Sequence, residues 1–88
     1  MIHYIKIWPR FYHAVKSGEK TFEIRINDRA YQKGDRVVQR YFDPQSQDED
    51  YSDIYKDLTH DIGFVYQIDD KRVAFSLLPI SAIEDKTR

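Results

Sequence analysis

The chain has no cysteine among its 88 residues, and it has only three glycines and three prolines. Without thiols it has neither disulfide cross-links nor thiolate metal sites, and a secreted domain of this size normally needs one of these. Scarce Gly and Pro, with apolar content near the globular average, are atypical of disordered chains. No apolar run reaches the length of a signal peptide or a membrane span. The sequence therefore predicts a folded, soluble, cytoplasmic protein with no membrane partner.

Charge is divided unevenly along the chain, although the net charge is only −1. Residues 1–40 hold nine Lys and Arg against four acids, whereas residues 41–88 hold five against eleven. An excess of cations in one region can form a basic face for an anionic ligand. In one compact domain the two halves can also interleave and cancel, so charge alone leaves both interpretations open.

Spacing of apolar residues predicts one short helix and five short strands. The helix begins at Pro9, carries Phe11, Ala14 and Val15 on one face, and ends before Gly18, which is placed for a left-handed C-cap. The strands are expected at about residues 3–7, 21–26, 36–42, 54–62 and 72–78. With no βαβ rhythm, these elements favour a mainly β, α+β domain in which a predominantly antiparallel sheet curls into a small barrel.

The domain is expected to span residues 1–88 without a second unit. Residues 43–53 contain five acids and no apolar periodicity, which predicts a mobile acidic loop. Residues 84–88 are expected to form a frayed C-terminus. In the second strand, strict alternation predicts that Phe22, Ile24 and Ile26 enter the core, and that Thr21, Glu23 and Arg25 share the other face.

Polar side chains crowd residues 18–29. The run Gly-x-Lys-Thr-x-Glu-x-Arg between Gly18 and Arg25 resembles the signature of the ASCH superfamily. The following Asn27-Asp28-Arg29, with the later Gly34-Asp35, is similar to a small bacterial and phage subgroup of it. The resemblance implies a PUA-like β-barrel with a cleft beside this strand, which takes RNA or a nucleotide-like ligand.

The chemistry of these side chains agrees with such a ligand. A guanidinium forks onto phosphate or a base edge, an ammonium supplies a point charge, and an Asn amide offers both a donor and an acceptor. Aromatic rings stack on bases, and Trp8 and Tyr31 are candidates for this role. The predicted ligand-binding residues are Lys20, Glu23, Arg25, Asn27, Asp28, Arg29 and Tyr41.

Simpler interpretations exist for the same residues. Glu23 and Arg25 also fit an ordinary ion pair on the surface of a sheet, which contributes little stability. Residues 27–29 also fit a plain turn. The three histidines lack metal-like spacing with carboxylates, so no metal site is predicted, and nothing in the sequence calls for a cofactor.

Two further functions remain as alternatives. A related ASCH subgroup consists of small amidohydrolases that remove an acyl group from a modified cytidine with a Lys, a Thr and a Glu. By this resemblance the candidate catalytic residues are Lys20, Thr21 and Glu23, although the Thr of that pattern falls at Glu23 here. Its Glu comes from a later segment, where Asp57 and Asp61 are loose candidates. The other alternative is a protein-interaction or phage accessory module, for which an exposed apolar patch is expected.

Overall fold

The computed structural model describes residues 1–46 and 54–80, and these ranges fold as a mainly β domain with one short helix, as predicted. The predicted C-terminal segment 84–88, and all but residues 43–46 of the predicted acidic loop, lie outside the described residues. The elements are β1 (Ile2–Ile7), α1 (Pro9–Ser17), β2 (Phe22–Ile26), β3 (Arg36–Tyr41), β4 (Leu58–Gln67) and β5 (Arg72–Leu78).

The strands form one sheet in the order β1-β3-β4-β5-β2. The β1 and β3 strands pair in parallel, while the other three pairings are antiparallel, so the sheet is predominantly antiparallel as expected. The sheet curls into a half-barrel that brings its two edge strands together. Across the seam between them, Nη1 of Arg25 on β2 donates to the carbonyl oxygen of Lys6 on β1, at 3.3 Å. No backbone ladder pairs β1 with β2 in this seam, so space remains there for a ligand.

Local chemistry sets the ends of α1. Pro9 occupies the first turn, and Gly18 takes a left-handed conformation with φ of 85° and donates its N–H to the carbonyl of Val15. The prediction that Phe11 lies on the apolar face of α1 that packs on the core is wrong, because Phe11 is exposed and the neighbouring Tyr12 is fully buried in its place. The Tyr12 hydroxyl donates to the carbonyl of Lys56 at 2.6 Å, which the Phe11 ring could not do. Within the described ranges, no helix is long and apolar enough to cross a membrane.

The core fills the inside of the curl, and it reverses the predicted orientation of β2. Glu23 is 4% exposed and Arg25 is half-buried, whereas Phe22, Ile24 and Ile26 face outward. The interior opposite β2 is already occupied by aromatic and aliphatic side chains from other elements. The buried hydrophobic residues are Ile5, Ile7, Tyr12, Val15, Tyr31, Val37, Tyr41, Ile62, Val73, Phe75 and Leu77.

A buried polar cluster joins the start of β1 to the turn before β3. Nε2 of His3 lies 2.8 Å from Oδ2 of Asp35, and the amide of Gln32 and the terminal ammonium of Met1 also donate to this carboxylate. Burial alone would raise the pKa of Asp35, but the hydrogen bonds from His3, the terminal ammonium and Gln32 outweigh it. The pKa therefore lies below its ordinary value of 3.8.

This cluster predicts a specific acid sensitivity. A carboxyl whose pKa is lower in the folded than in the unfolded chain stabilises the fold above the unfolded pKa, and this stabilisation is lost as the pH falls. We expect Asp35→Asn to lower the free energy of unfolding by about 1–3 kcal/mol at neutral pH, and the deficit to shrink from about pH 5 downward. Urea titrations at several pH values measure this, with the exposed Asp28→Asn as control. A pH-independent deficit would contradict it.

Candidate functional site

A groove of about 740 Å³ opens at the seam between β1 and β2, with the first turns of α1 as its third wall. Its lining contains four cationic side chains against two carboxylates, so the groove is basic although the protein as a whole is not. The residues that line it are Lys6, Ile7, Trp8, Arg10, Phe11, Ala14, Glu19, Lys20, Phe22, Glu23, Ile24 and Arg25.

Arg25 spans the groove from one edge strand to the other. Besides its bond to the Lys6 carbonyl, Nη1 lies 3.8 Å from Oε1 of Glu23, and the charge of the guanidinium acts on the phenol of Tyr31. Burial raises the pKa of Tyr31, and the charges of Arg25 and Arg29 offset this only in part, so the phenol stays neutral. A guanidinium has five N–H donors, and the side chain of Arg25 is 28% exposed and lines the groove, where a ligand can reach it.

Lys20 occupies the end of the groove where α1 passes into β2. Its backbone N–H donates to the carbonyl of Ala14, which ties the start of β2 to the helix. The ammonium donates to the carbonyl of Phe22 at 2.5 Å and lies 3.5 Å from Oε2 of Glu23. It also lies over the rings of Phe11 and Phe22, at 5.6 and 5.0 Å from their centroids. These contacts fix a positive charge beside an aromatic wall.

Glu23 is the centre of a buried polar chain that crosses three strands. Its Oε2 accepts a hydrogen bond from Nε2 of Gln39 on β3 at 2.6 Å, and Oε1 of Gln39 lies 2.8 Å from Nδ1 of His60 on β4. Gln39 is fully buried. The carboxylate therefore has the two cations of the groove on one side and the Gln39 amide behind it. It holds Lys20 and Arg25 in position more than it faces solvent itself.

The protonation of His60 follows from this chain. Because Gln39 presents its NH₂ to the carboxylate, its carbonyl oxygen faces His60, and Nδ1 of the imidazole must carry the proton. Burial lowers the pKa of His60 below 6.5, while the negative charges of Glu23 and Asp61 oppose this in part. The ring is therefore neutral at pH 7, with Nε2 as an acceptor.

The third wall of the groove is aromatic. Trp8 is 54% exposed, and the rings of Phe11 and Phe22 are also accessible. Exposed rings of this size normally pack into a core, and here they border a cavity with cations at its rim. Such a wall offers stacking surface to a planar, anionic molecule.

The predicted ligand-binding residues do not all meet in the groove. Lys20, Glu23 and Arg25 lie together there, whereas Asn27 and Asp28 line a separate shallow depression beside the β4–β5 turn. The backbone N–H of Asn27 donates to the carbonyl of Lys71, which fixes the loop after β2 to the β4–β5 turn. Arg29 is exposed, and its Nε lies 3.9 Å from Asp28.

Four other sequence candidates lie away from the groove lining. Thr21, predicted to share a face with Glu23, lines a depression on the other side of Lys20 together with His60. Tyr41 is buried and stacks on Tyr55 with ring centroids 4.0 Å apart. Asp57 and Asp61, the loose candidates for a catalytic acid, pair with the guanidinium groups of Arg40 and Arg36 respectively.

Sequence reasoning missed two residues of the polar chain, Gln39 and His60. A signal for Gln39 existed: it sits between Val37 and Tyr41 with core parity, so a polar side chain there needs an internal partner. His60 carried no comparable signal. Across residues 1–46 and 54–80, no group of three His, Asp or Glu is placed to hold a metal ion.

Comparison with known proteins places the chain in a family. No curated protein is significantly similar to it. Residues 2–76 match the family described as "Domain of unknown function (DUF3850)". The matched span runs from Ile2, the first residue of β1, to Ser76 in β5, and it includes every residue that lines the groove. The protein thus belongs to the DUF3850 family.

Proposed function

We propose that the protein binds RNA or a nucleotide-like ligand in the groove between β1 and β2. The observation that carries the proposal is the placement of Lys20, Arg25 and the exposed ring of Trp8 around one cavity. Phosphate recognition needs fixed cations and base recognition needs a flat apolar surface. This groove supplies both within the reach of one nucleotide.

The contacts of each residue indicate its role in binding. Arg25 presents a planar fork that matches the geometry of a phosphate, and Lys20 supplies a second positive charge next to the aromatic wall. Trp8 and Phe11 are the surfaces on which a base stacks. Glu23 acts through the two cations, since it is buried behind them.

The size and charge of the protein favour a small or single-stranded ligand. A cavity of about 740 Å³ lies within the range of roughly 300–1,000 Å³ that is typical of small-molecule sites. Duplex binding usually requires an extended basic surface on a protein of high pI, whereas this chain has a pI near 6.3. Cations concentrated in one groove fit a nucleotide or a short single strand.

The test is an NMR titration of the labelled protein with a mixed pool of short single-stranded RNAs, and then with free nucleotides and nucleosides. We expect amide shifts confined to residues 6–11 and 20–25, which weaken with salt for the charged ligands. Residues 27–29 serve as the internal control, because they lie outside the groove. An absence of shifts with every ligand, or shifts centred on residues 27–29, would contradict the proposal.

An amidohydrolase acting on an acylated nucleoside is the second candidate. It is supported by a depression of about 480 Å³ whose lining includes Thr21, Lys20 and His60, with the imidazole neutral. Glu23, the third candidate catalytic residue, lines the neighbouring groove instead. Acylated cytidine belongs in the same titration, where conversion of its signals to product would favour the hydrolase.

A further inference from the structure

Arg10 is the one arginine in residues 1–46 and 54–80 that has no carboxylate beside it. Each of the other arginines there places a guanidinium nitrogen 2.8–3.9 Å from a carboxylate oxygen. They are Arg25, Arg29, Arg36, Arg40 and Arg72. Within the same ranges the guanidinium of Arg10 makes no hydrogen bond either, and it lies against the ring of Phe11, with Cζ 5.1 Å from the ring centroid. All five of its N–H donors are therefore available to a ligand.

Helical spacing places Arg10 on the groove side of α1. Arg10 and Ala14 are four residues apart, which puts them on one face of the helix, and both line the groove. Tyr12 and Val15 form the buried face of the same helix. Arg10 therefore belongs to the cavity that also holds Lys20.

The two cations that contact the Phe11 ring differ in their surroundings. The Lys20 ammonium lies 5.6 Å from the ring centroid and, like Arg25, pairs with the Glu23 carboxylate. Arg10 contacts the same ring, but no carboxylate of the described residues lies beside it. The groove thus holds two cationic positions, and only the first has a counter-charge. Phosphates follow one another at about 3.4 Å along a stacked strand, so neighbouring phosphates can reach both positions.

Each of these cationic positions has an aromatic surface of its own. The Lys20 ammonium lies 5.0 Å from the ring centroid of Phe22, which is 45% exposed. Trp8 is separated from Arg10 only by Pro9, and within the described ranges its exposed indole makes no ring contact and no hydrogen bond. A single strand repeats one phosphate and one base at each nucleotide, so it matches this repetition, whereas a free nucleotide has only one base.

We propose that the ligand of the groove is a stretch of single strand that carries at least two phosphates. Lys20 and Arg25 hold one phosphate, Arg10 holds the next, and Trp8 stacks on the base beside it. This assignment rests on the proposed binding of RNA or a nucleotide-like ligand, and it selects the strand over the free nucleotide. Arg10 is then the residue that distinguishes the two, because a ligand with one phosphate leaves one cationic position without an anion.

Quenching of Trp8 fluorescence by three equimolar pools tests the proposal: dinucleotides with a 5′-phosphate, the same dinucleotides without it, and nucleoside 5′-diphosphates. We expect the wild type to bind the 5′-phosphorylated dinucleotides at least about tenfold more tightly than either other pool, because the added phosphate pairs with Arg10. In Arg10→Ala the difference between the two dinucleotide pools should fall below about threefold. The matched control is Lys16→Ala, which removes a positive charge from the same helix outside the groove and should keep the tenfold difference.

Three results would overturn the proposal. In the first, the 5′-phosphate does not raise the affinity of the wild type for dinucleotides. In the second, Arg10→Ala reduces the difference between the dinucleotide pools no more than Lys16→Ala does. In the third, the diphosphates bind as tightly as the 5′-phosphorylated dinucleotides, because the ligand would then be a free nucleotide. Each of these leaves the binding function intact as long as Arg25→Ala weakens the binding of dinucleotides, whereas binding of no pool by the wild type would contradict the binding function itself.

Discussion

Replacing Glu23 by alanine is expected to lower the free energy of unfolding by about 2–4 kcal/mol. The carboxylate is 4% exposed and accepts the 2.6 Å hydrogen bond of Gln39. Its removal leaves the fully buried amide of Gln39 without its acceptor and brings the like charges of Lys20 and Arg25 together with no anion between them. Both cations are partly exposed and can move toward water, so the loss stays below that of a fully buried pair.

Urea unfolding at pH 7 measures this change in the free energy of unfolding. Two further variants show whether it comes from the loss of the buried carboxylate. Glu19→Ala removes another carboxylate from the same groove at an exposed position, and it should change stability by less than about 0.5 kcal/mol. Glu23→Gln keeps an acceptor for Gln39 but loses the charge, so it should fall between wild type and Glu23→Ala. If Glu23→Ala proved as stable as Glu19→Ala, the polar chain would not organise the groove.

The order of the elements could be predicted from the sequence, but the orientation of β2 could not. Alternation in β2 establishes that Phe22, Ile24 and Ile26 share one face, and it does so correctly. It does not establish which face is interior, because that depends on what other strands place there. Phe75 and Tyr31 fill the space opposite Glu23, and their positions follow from sheet order, which is a long-range property.

Only those residues of the site that are close together in the sequence could be predicted to lie together. Glu23 and Arg25 share the inner face of β2, and Lys20, two residues before the strand, reaches the Glu23 carboxylate with its side chain, so these three neighbouring positions meet. An extended chain rises about 3.3 Å per residue, and Asn27 therefore lies about 23 Å from Lys20, too far to share one small cavity. Gln39 joins the site through the pairing of strands that are distant in sequence, which no local pattern specifies.

Arg25→Ala is expected to weaken the binding of short single-stranded RNA by at least about tenfold. Arg25 is the one groove residue of the described chain that joins both edge strands, through the Lys6 carbonyl and the Glu23 carboxylate. Its guanidinium is thus held in place before a phosphate arrives, and the loss of a fixed donor is not replaced by a mobile side chain. Trp8, the single tryptophan, lies in the groove wall, so quenching of its fluorescence reports binding directly.

The salt dependence of that affinity decides whether Arg25 contacts phosphate. Loss of one phosphate contact should reduce the slope of log affinity against log salt by about one, whereas loss of a base contact would leave the slope unchanged. Arg40→Ala is the matched control, since it removes an arginine paired with Asp57 on the outer side of β3. If Arg29→Ala lowered the affinity more than Arg25→Ala, the binding site would lie at the loop after β2 instead of in the groove. Equal affinities in the Arg25→Ala and Arg40→Ala variants would mean that the cations of the groove do not hold the ligand, since the best-oriented of them would then contribute no more than an arginine on the opposite surface.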